Sequence, residues 1–356
     1  MTKIIFVHLF NDRSGSPKVL SQVIQGVHQS GHEIELLTSS HKNGFLDCCP
    51  GFRHQIFYKR SDNKILTLLF YFISQVHLFF YCFKYIRQDV VFFVNTMMPF
   101  GAALSAKLMR KKVIYHVHET SLKPKLLKLF LRSVIQLTAH KVIFVSNYLK
   151  KVESFSSVSQ YVVHNALDIQ VLSAPKQRPK VFNVLMICSL KEYKGVKEFL
   201  EIAKVLSYRI DIRFTLVLNA DQVEIERFFS CNICSQNIDI FSRHSDVQSF
   251  YLNASMLVNL SRPDGWIETF GLTILEGMAY GLPVIVPPVG GPTEIVADGQ
   301  EGYLISCYET EKIANVIEQV ADDLVVYSKL SANSLRRAQF FEISTFNRSI
   351  ADIVGL

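Results

Sequence analysis

The sequence predicts an α/β protein made of two Rossmann-like, doubly wound domains. Three observations predict it. Short runs rich in β-branched and aromatic residues alternate with helical patterns along the chain. That rhythm stops and restarts once, around the Pro-rich, basic stretch SAPKQRPK (173–180). The length of 356 residues allows two separate cores, and a composition that is 49% hydrophobic and 19% charged supplies the apolar material to fill them.

The first domain is expected over residues 1–172. Its strands are KIIFVH (3–8), EIELLT (33–38), DVVFFV (89–94), KVIYHV (112–117) and KVIFVS (141–146), with helices such as PKVLSQVIQGVHQS (17–30) and ALSAKLMR (103–110) between them. A linker over 173–181 leads to the second domain, 182–340, with strands NVLMICS (183–189), IRFTLVLN (212–219), MLVNLS (256–261) and LPVIV (282–286). The last segment, 341–356, is expected to form a helix that packs back toward the first domain. Two such domains would face each other across a cleft, and ligands in doubly wound folds sit beyond the carboxyl ends of the strands.

One segment, ILTLLFYFISQVHLFFYCF (65–83), is almost long enough to span a bilayer. Gln75 and His77 near its middle would be costly there, and strands expected in one sheet lie on both sides of it. It therefore reads as a helix buried in the core or lying in a membrane interface, with the core favoured.

The N-terminal MTKIIFVHLFNDRSGSP reads as a first strand and loop rather than a signal peptide. The seven cysteines have irregular spacing, and Cys231 and Cys234 form a CxxC with no second pair, which points to reduced thiols in a cytoplasmic protein. Residues 1–165 carry 21 Lys and Arg against 8 Asp and Glu, a net +13, whereas residues 166–356 carry 17 against 23, a net −6. The first half is thus built to meet something anionic. No nucleic-acid-binding signature is present, so an acidic membrane leaflet is the better partner. LKPKLLKLFLRSVIQL (122–137) reads as a basic amphipathic helix for that purpose, with Lys125, Lys128 and Arg132 on one face; an ordinary solvated helix is the alternative.

The chemistry concentrates in RPDGWIETFGLTILEGMAYGLPVIVPPVGGPTEIV (262–296). Glu268 precedes a helix that Phe270, Gly271 and Leu272 open and Gly281 and Pro283 end. Free amides and the positive dipole end suit a phosphate there. Glu276, two turns in, is placed to accept hydrogen bonds from a ribose diol. Gly290-Gly291-Pro292 forms a tight loop before the next helix, which carries Glu294.

This run resembles the signature of the retaining family-4 glycosyltransferases (glycosyl transferases group 1), a Glu, seven residues, then a Glu. Gly15-Ser16, Gly31-His32-Glu33, His118-Glu119, Ser146-Asn147, Asn165-Ala166-Leu167-Asp168 and Ser189-Leu190-Lys191-Glu192-Tyr193-Lys194-Gly195 resemble further landmarks of that family. The resemblance implies a GT-B fold, with a UDP- or GDP-sugar donor held mainly by the second domain. It implies Glu276 on the ribose and Glu268 on the transferred sugar. The amides near Phe270–Leu272 and Gly15-Ser16, with Ser189, Lys191 and Lys194, would hold the diphosphate, and His118 would sit at the reacting centre. Two positions depart from the family pattern: Ser189 stands where an Arg is usual, with Lys191 as its substitute, and Asn165-Ala166-Leu167-Asp168 replaces Asn-Gly-Val-Asp. No Asp-x-Asp motif is evident, so a metal-independent, cofactor-free transfer is expected, onto a saccharide or lipid-linked saccharide at the inner face of the cytoplasmic membrane. The setting the resemblance suggests is bacterial surface polysaccharide biosynthesis. A nucleotide-sugar epimerase of the same fold and a non-catalytic nucleotide-sugar binder remain alternatives.

Overall fold

A computed structural model describes residues 2–61, 63–167, 179–229, 236–244 and 246–355. Most of the expected linker, Asp168, and the Cys231/Cys234 pair lie outside these residues. Two compact units form, Met1–Ala166 with Ile343–Leu356, and Leu167–Glu342.

The first unit holds strands β1 (Lys3–Val7), β2 (Ile34–Ser39), β3 (Phe52–Ile56), β4 (Val90–Asn95), β5 (Lys112–Val117), β6 (Lys141–Phe144) and β7 (Ser159–Val162). They pair in parallel in the order β3-β2-β1-β4-β5-β6-β7. Its helices are α1 (Gly15–Gln29), α2 (Lys64–Cys82), α3 (Phe100–Leu108), α4 (Lys125–Thr138) and α5 (Asn147–Glu153). β2 and β4 are buried along their whole length, and β1 from Ile4 onward, because both faces of a parallel sheet are covered. Right-handed crossovers place α1 on one face and α2, α3 and α4 on the other. The C-terminal helix α13 (Ile343–Val354) packs on α1. Gly26 permits that contact: a Cβ there would lie 2.6 Å from the Asn347 side chain.

The second unit repeats the plan. Strands β8 (Phe182–Cys188), β9 (Ile212–Leu218), β10 (Ile238–Phe241), β11 (Met256–Val258), β12 (Val284–Val286) and β13 (Gly302–Leu304) run parallel in the order β10-β9-β8-β11-β12-β13. Helices α6 (Val196–Val205), α7 (Gln222–Phe229), α8 (Gln248–Asn253), α9 (Leu272–Ala279), α10 (Pro292–Ile295), α11 (Thr310–Asp322) and α12 (Leu324–Ala338) cover it. Phe182, Phe199, Phe214 and Tyr327 fill its core.

Four strands add to those read from the sequence: β3, β7, β10 and β13. Each is an edge strand. An edge strand meets only one neighbour and stays partly wet, so it carries residues such as Arg53, Gln160 and Asp239 instead of an apolar run.

Two helices differ from the reading of their faces. In α4, Lys128 and Arg132 both pair with Glu153, which is 1% exposed. A buried carboxylate needs counter-charges, so these two cations face the protein and Leu126, Leu129 and Leu137 face solvent. In α2 the core reading fails: Ile65, Phe72, Val76 and Phe80 are exposed.

Candidate functional site

In the second unit the chain leaves β8 toward β9 and later returns on the other side of β8 as β11. The carboxyl ends of β8 and β11 therefore diverge into a crevice. Ser261 lies just beyond β11, and Lys194 ends the short turn Glu192–Lys194 after β8. These two side chains converge on Glu268. Lys194 Nζ forms an ion pair with the carboxylate, and Ser261 Oγ donates to Glu268 Oε1 at 3.1 Å. Both ions are 17% exposed. Burial pushes the Glu268 carboxyl up, but Lys194 and Ser261 outweigh it and hold the group below its usual 4.5.

The Glu268 loop is clamped from behind. Gly291 N–H donates to the Glu268 carbonyl at 2.8 Å. A Cβ on Gly291 would lie 2.3 Å from the Thr269 carbonyl oxygen, so only glycine allows that approach. The loop ends at Gly271, which caps α9 with φ +115°, a conformation glycine adopts without strain. The helix starts at Leu272, so Glu276 sits on its second turn. First-turn amides have no intrahelical acceptor, and Leu272 and Thr273 at this end are partly exposed. The Phe270 side chain is buried against Phe341. Glu276 is 8% exposed, and Tyr251 Oη donates to its Oε2 at 2.7 Å. Lys191 is exposed, and its N–H donates to the Ser189 carbonyl at 2.8 Å. Trp266, the single tryptophan of the sequence, stacks on Tyr193 at 5.8 Å, with Lys194 Nζ 5.7 Å from its ring.

The first unit has its own divergence, between β1 and β4. Asn95 closes β4 and joins three partners. Its Nδ2 donates to His8 Nδ1 at 3.1 Å and to the Ser16 carbonyl at 3.2 Å, and its Oδ1 accepts from His118 Nε2 at 2.9 Å. Gly15 and Ser16 thus begin α1 beside the same cluster. The Glu119 carboxylate accepts the N–H groups of Met97 and His118 and so pins the turn that carries His118. Burial raises Glu119 to about 7. Burial likewise holds His118 well below 6.5, helped by the nearby His116 and His8. The imidazole is therefore neutral at ordinary pH. Among the described residues no group of three or more His, Cys, Asp or Glu side chains is arranged to hold a metal ion.

The sequence reading missed Asn95, His8, Ser261, Tyr251 and Trp266. Three of them had a legible signal: His8, Asn95 and Ser261 are polar residues that end apolar strand runs, the position at which a doubly wound sheet meets its ligand.

Two doubly wound units of this kind define the GT-B class of α/β fold. Residues 13–171 match the family model described as Glycosyltransferase Family 4, and residues 170–337 match Glycosyl transferases group 1. The chain belongs to this family-4, group 1 family of glycosyltransferases. Among solved structures it is similar to Anabaena HepE in complex with UDP-glucose, with a TM-score of 0.80 at 19% identity over 100% of both chains. It is similar also to the lipopolysaccharide outer core galactosyltransferase WaaB, with a TM-score of 0.71 at 18% identity over 100% of both. Sucrose-phosphate synthase of Spinacia oleracea is 31% identical over 99 residues, covering 28% of this chain and 9% of the plant protein. The match therefore spans less than a tenth of that relative's length.

Proposed function

We propose that this chain is a retaining, metal-independent glycosyltransferase that moves a sugar from a nucleoside diphosphate sugar to a saccharide or lipid-linked saccharide acceptor. The setting is bacterial surface polysaccharide biosynthesis, on the inner face of the cytoplasmic membrane. The observation that carries it is the Glu268–Lys194 pair set directly ahead of the amino end of α9. A carboxylate to grip sugar hydroxyls, a lysine from the turn after β8 and the amino end of α9 come together there. Of the UDP and GDP donors, UDP is preferred, since HepE was solved with UDP-glucose.

In this reading the amides at Phe270–Leu272 and Gly15-Ser16, with Lys194, Lys191 and Ser189, receive the diphosphate, and Glu276 receives the ribose diol. The bond between the anomeric carbon and the β-phosphate oxygen breaks. The acceptor hydroxyl oxygen forms the new bond on the same face, and its proton passes to the departing phosphate oxygen. Lys194 and the α9 dipole stabilise the charge that develops there. Glu268 orients the sugar, and the neutral His118, whose Nε2–H is given to Asn95, acts at the reacting centre only as an acceptor, through Nδ1.

Titrating UDP and GDP against Trp266 fluorescence tests the donor site, because the indole lies beside Lys194. One of the two should change the signal and raise the melting temperature by mass action. Silence from both, and from other nucleotide sugars, removes the reading. UDP-sugar given without acceptor should show no epimerisation, and with a competent acceptor should yield a product of unchanged anomeric configuration.

A further inference from the structure

The outward face of α2 is used by neither the fold nor the site. Ile65, Leu69, Phe72, Ile73, Val76 and Phe80 recur at helical spacing and are each 40–78% exposed. Tyr71, Ser74 and Gln75, polar residues in the middle of the same helix, are buried on its inward side. Tyr71 Oη donates to the Met98 carbonyl at 2.7 Å, Gly101 N–H donates to Gln75 Oε1 at 3.0 Å, and Ser74 Oγ donates to the Tyr71 carbonyl at 2.6 Å. A water-facing helix has the opposite arrangement, with its polar side outward. No Asp, Glu, Lys or Arg interrupts residues 65–83.

The apolar face continues beyond α2. The Phe100 ring of α3 meets Phe72 of α2 at 6.2 Å and Phe130 of α4 at 5.0 Å, so the three helices form one layer. On that layer α4 exposes Leu126 and Leu129, at 79% and 61%. Cations border it. Lys59, Arg60 and Lys64 are exposed ahead of or at the start of α2, Arg87 beyond its end, and Lys123 and Lys125 at the start of α4. A crevice of about 440 Å³ opens at the amino end of α2 between Lys59, Arg60, Ser61, Leu66 and Phe70, with charge on one side and hydrocarbon on the other.

We infer that α2 lies flat in the head-group layer of an anionic bilayer, with this stripe among the acyl chains, and that it anchors the first unit there. The inference rests on the peripheral-membrane reading above and names its element. The charge pattern selects the occupant: an apolar band rimmed by Lys and Arg matches acyl chains rimmed by anionic phosphates. A crossing is excluded by topology. α2 connects β3 to β4, which lie in one sheet, so both of its ends stay on one side.

The test uses the full chain and vesicles with and without phosphatidylglycerol. Wild-type protein should bind the acidic vesicles. The exposed double substitution Ile73→Asp with Val76→Asp should weaken binding by about a hundredfold, while Trp266-reported UDP binding and the melting temperature stay unchanged. A Phe80→Trp chain should show quenching by brominated lipid beyond the background of Trp266 alone. If wild type binds but the double variant binds equally and Phe80→Trp is not quenched, the role of α2 falls and peripheral attachment stands. If wild type binds no acidic vesicle, both fall. If the double substitution instead dissolves a lipid-independent dimer in sedimentation, the stripe belongs to a second copy of the chain and the inference is overturned.

Discussion

Replacing Glu268 with Gln should move donor binding and turnover in opposite directions. The wild-type carboxylate holds Lys194, the cation assigned to the diphosphate, in an ion pair whose two members are each 17% exposed. Two unit charges about 4 Å apart attract by about 4 kcal/mol at an effective dielectric of about 20. Desolvation of both ions offsets most of that, leaving roughly 1–2 kcal/mol net. Glutamine keeps the shape and an oxygen to accept from Ser261, so the loop should keep its conformation. It no longer neutralises the lysine, which becomes available to phosphate. UDP should then bind about fivefold tighter in the Trp266 titration. Turnover, measured as UDP release with donor and acceptor, should fall by about a hundredfold or more, because the sugar loses its charged anchor. An unchanged or weaker UDP affinity would show that Lys194 does not meet the diphosphate. Near-normal turnover would remove Glu268 from the sugar.

His118→Ala should reduce turnover by about a hundredfold or more, while leaving UDP binding at the second unit intact; a small effect on rate refutes its place at the reacting centre. Gly291→Ala places a Cβ 2.3 Å from the Thr269 oxygen. It should lower the stability of the second unit by about 2 kcal/mol or more and weaken UDP binding, read by denaturant titration with and without UDP. Burial holds His8 at about 4, His116 at about 3, and His118 well below 6.5. The unfolded chain protonates such groups near 6.5, so the stability they confer is complete above that pH and is lost as pH falls toward 4. Three groups give a slope of up to about 4 kcal/mol per pH unit, and a flat denaturation midpoint from pH 6.5 to 5 would refute the buried, neutral cluster. Tyr251→Phe removes the 2.7 Å hydrogen bond to Glu276 and should weaken UDP binding about threefold to tenfold, while ligands that lack a ribose are unaffected.

The Glu268 loop was legible because its parts are local. Gly271, the helix after it, and the Gly290-Gly291-Pro292 turn are each dictated by neighbouring residues, and local backbone requirements survive in the order of amino acids. Its partners were less legible. Lys194 lies 74 residues from Glu268, and Asn95 lies 87 from His8. Only the parallel order of the strands brings such pairs to one edge of a sheet. The membrane reading shows the same limit. Spacing placed Lys128 and Arg132 on one face of α4, but not which way that face turned; Glu153, buried behind it, turned it inward.

By itself the sequence determined the class of fold, the central strands and the loop that opens α9. Central parallel strands are buried on both faces and so are mostly apolar, which makes them visible in the order of residues. The tertiary structure decided the four edge strands, the Lys194–Glu268 pair, the Asn95 cluster and the outward face of α2. An edge strand is defined by the neighbour it lacks, an ion pair by the approach of distant segments, and a helix face by what already occupies its other side. None of these is a property of consecutive residues.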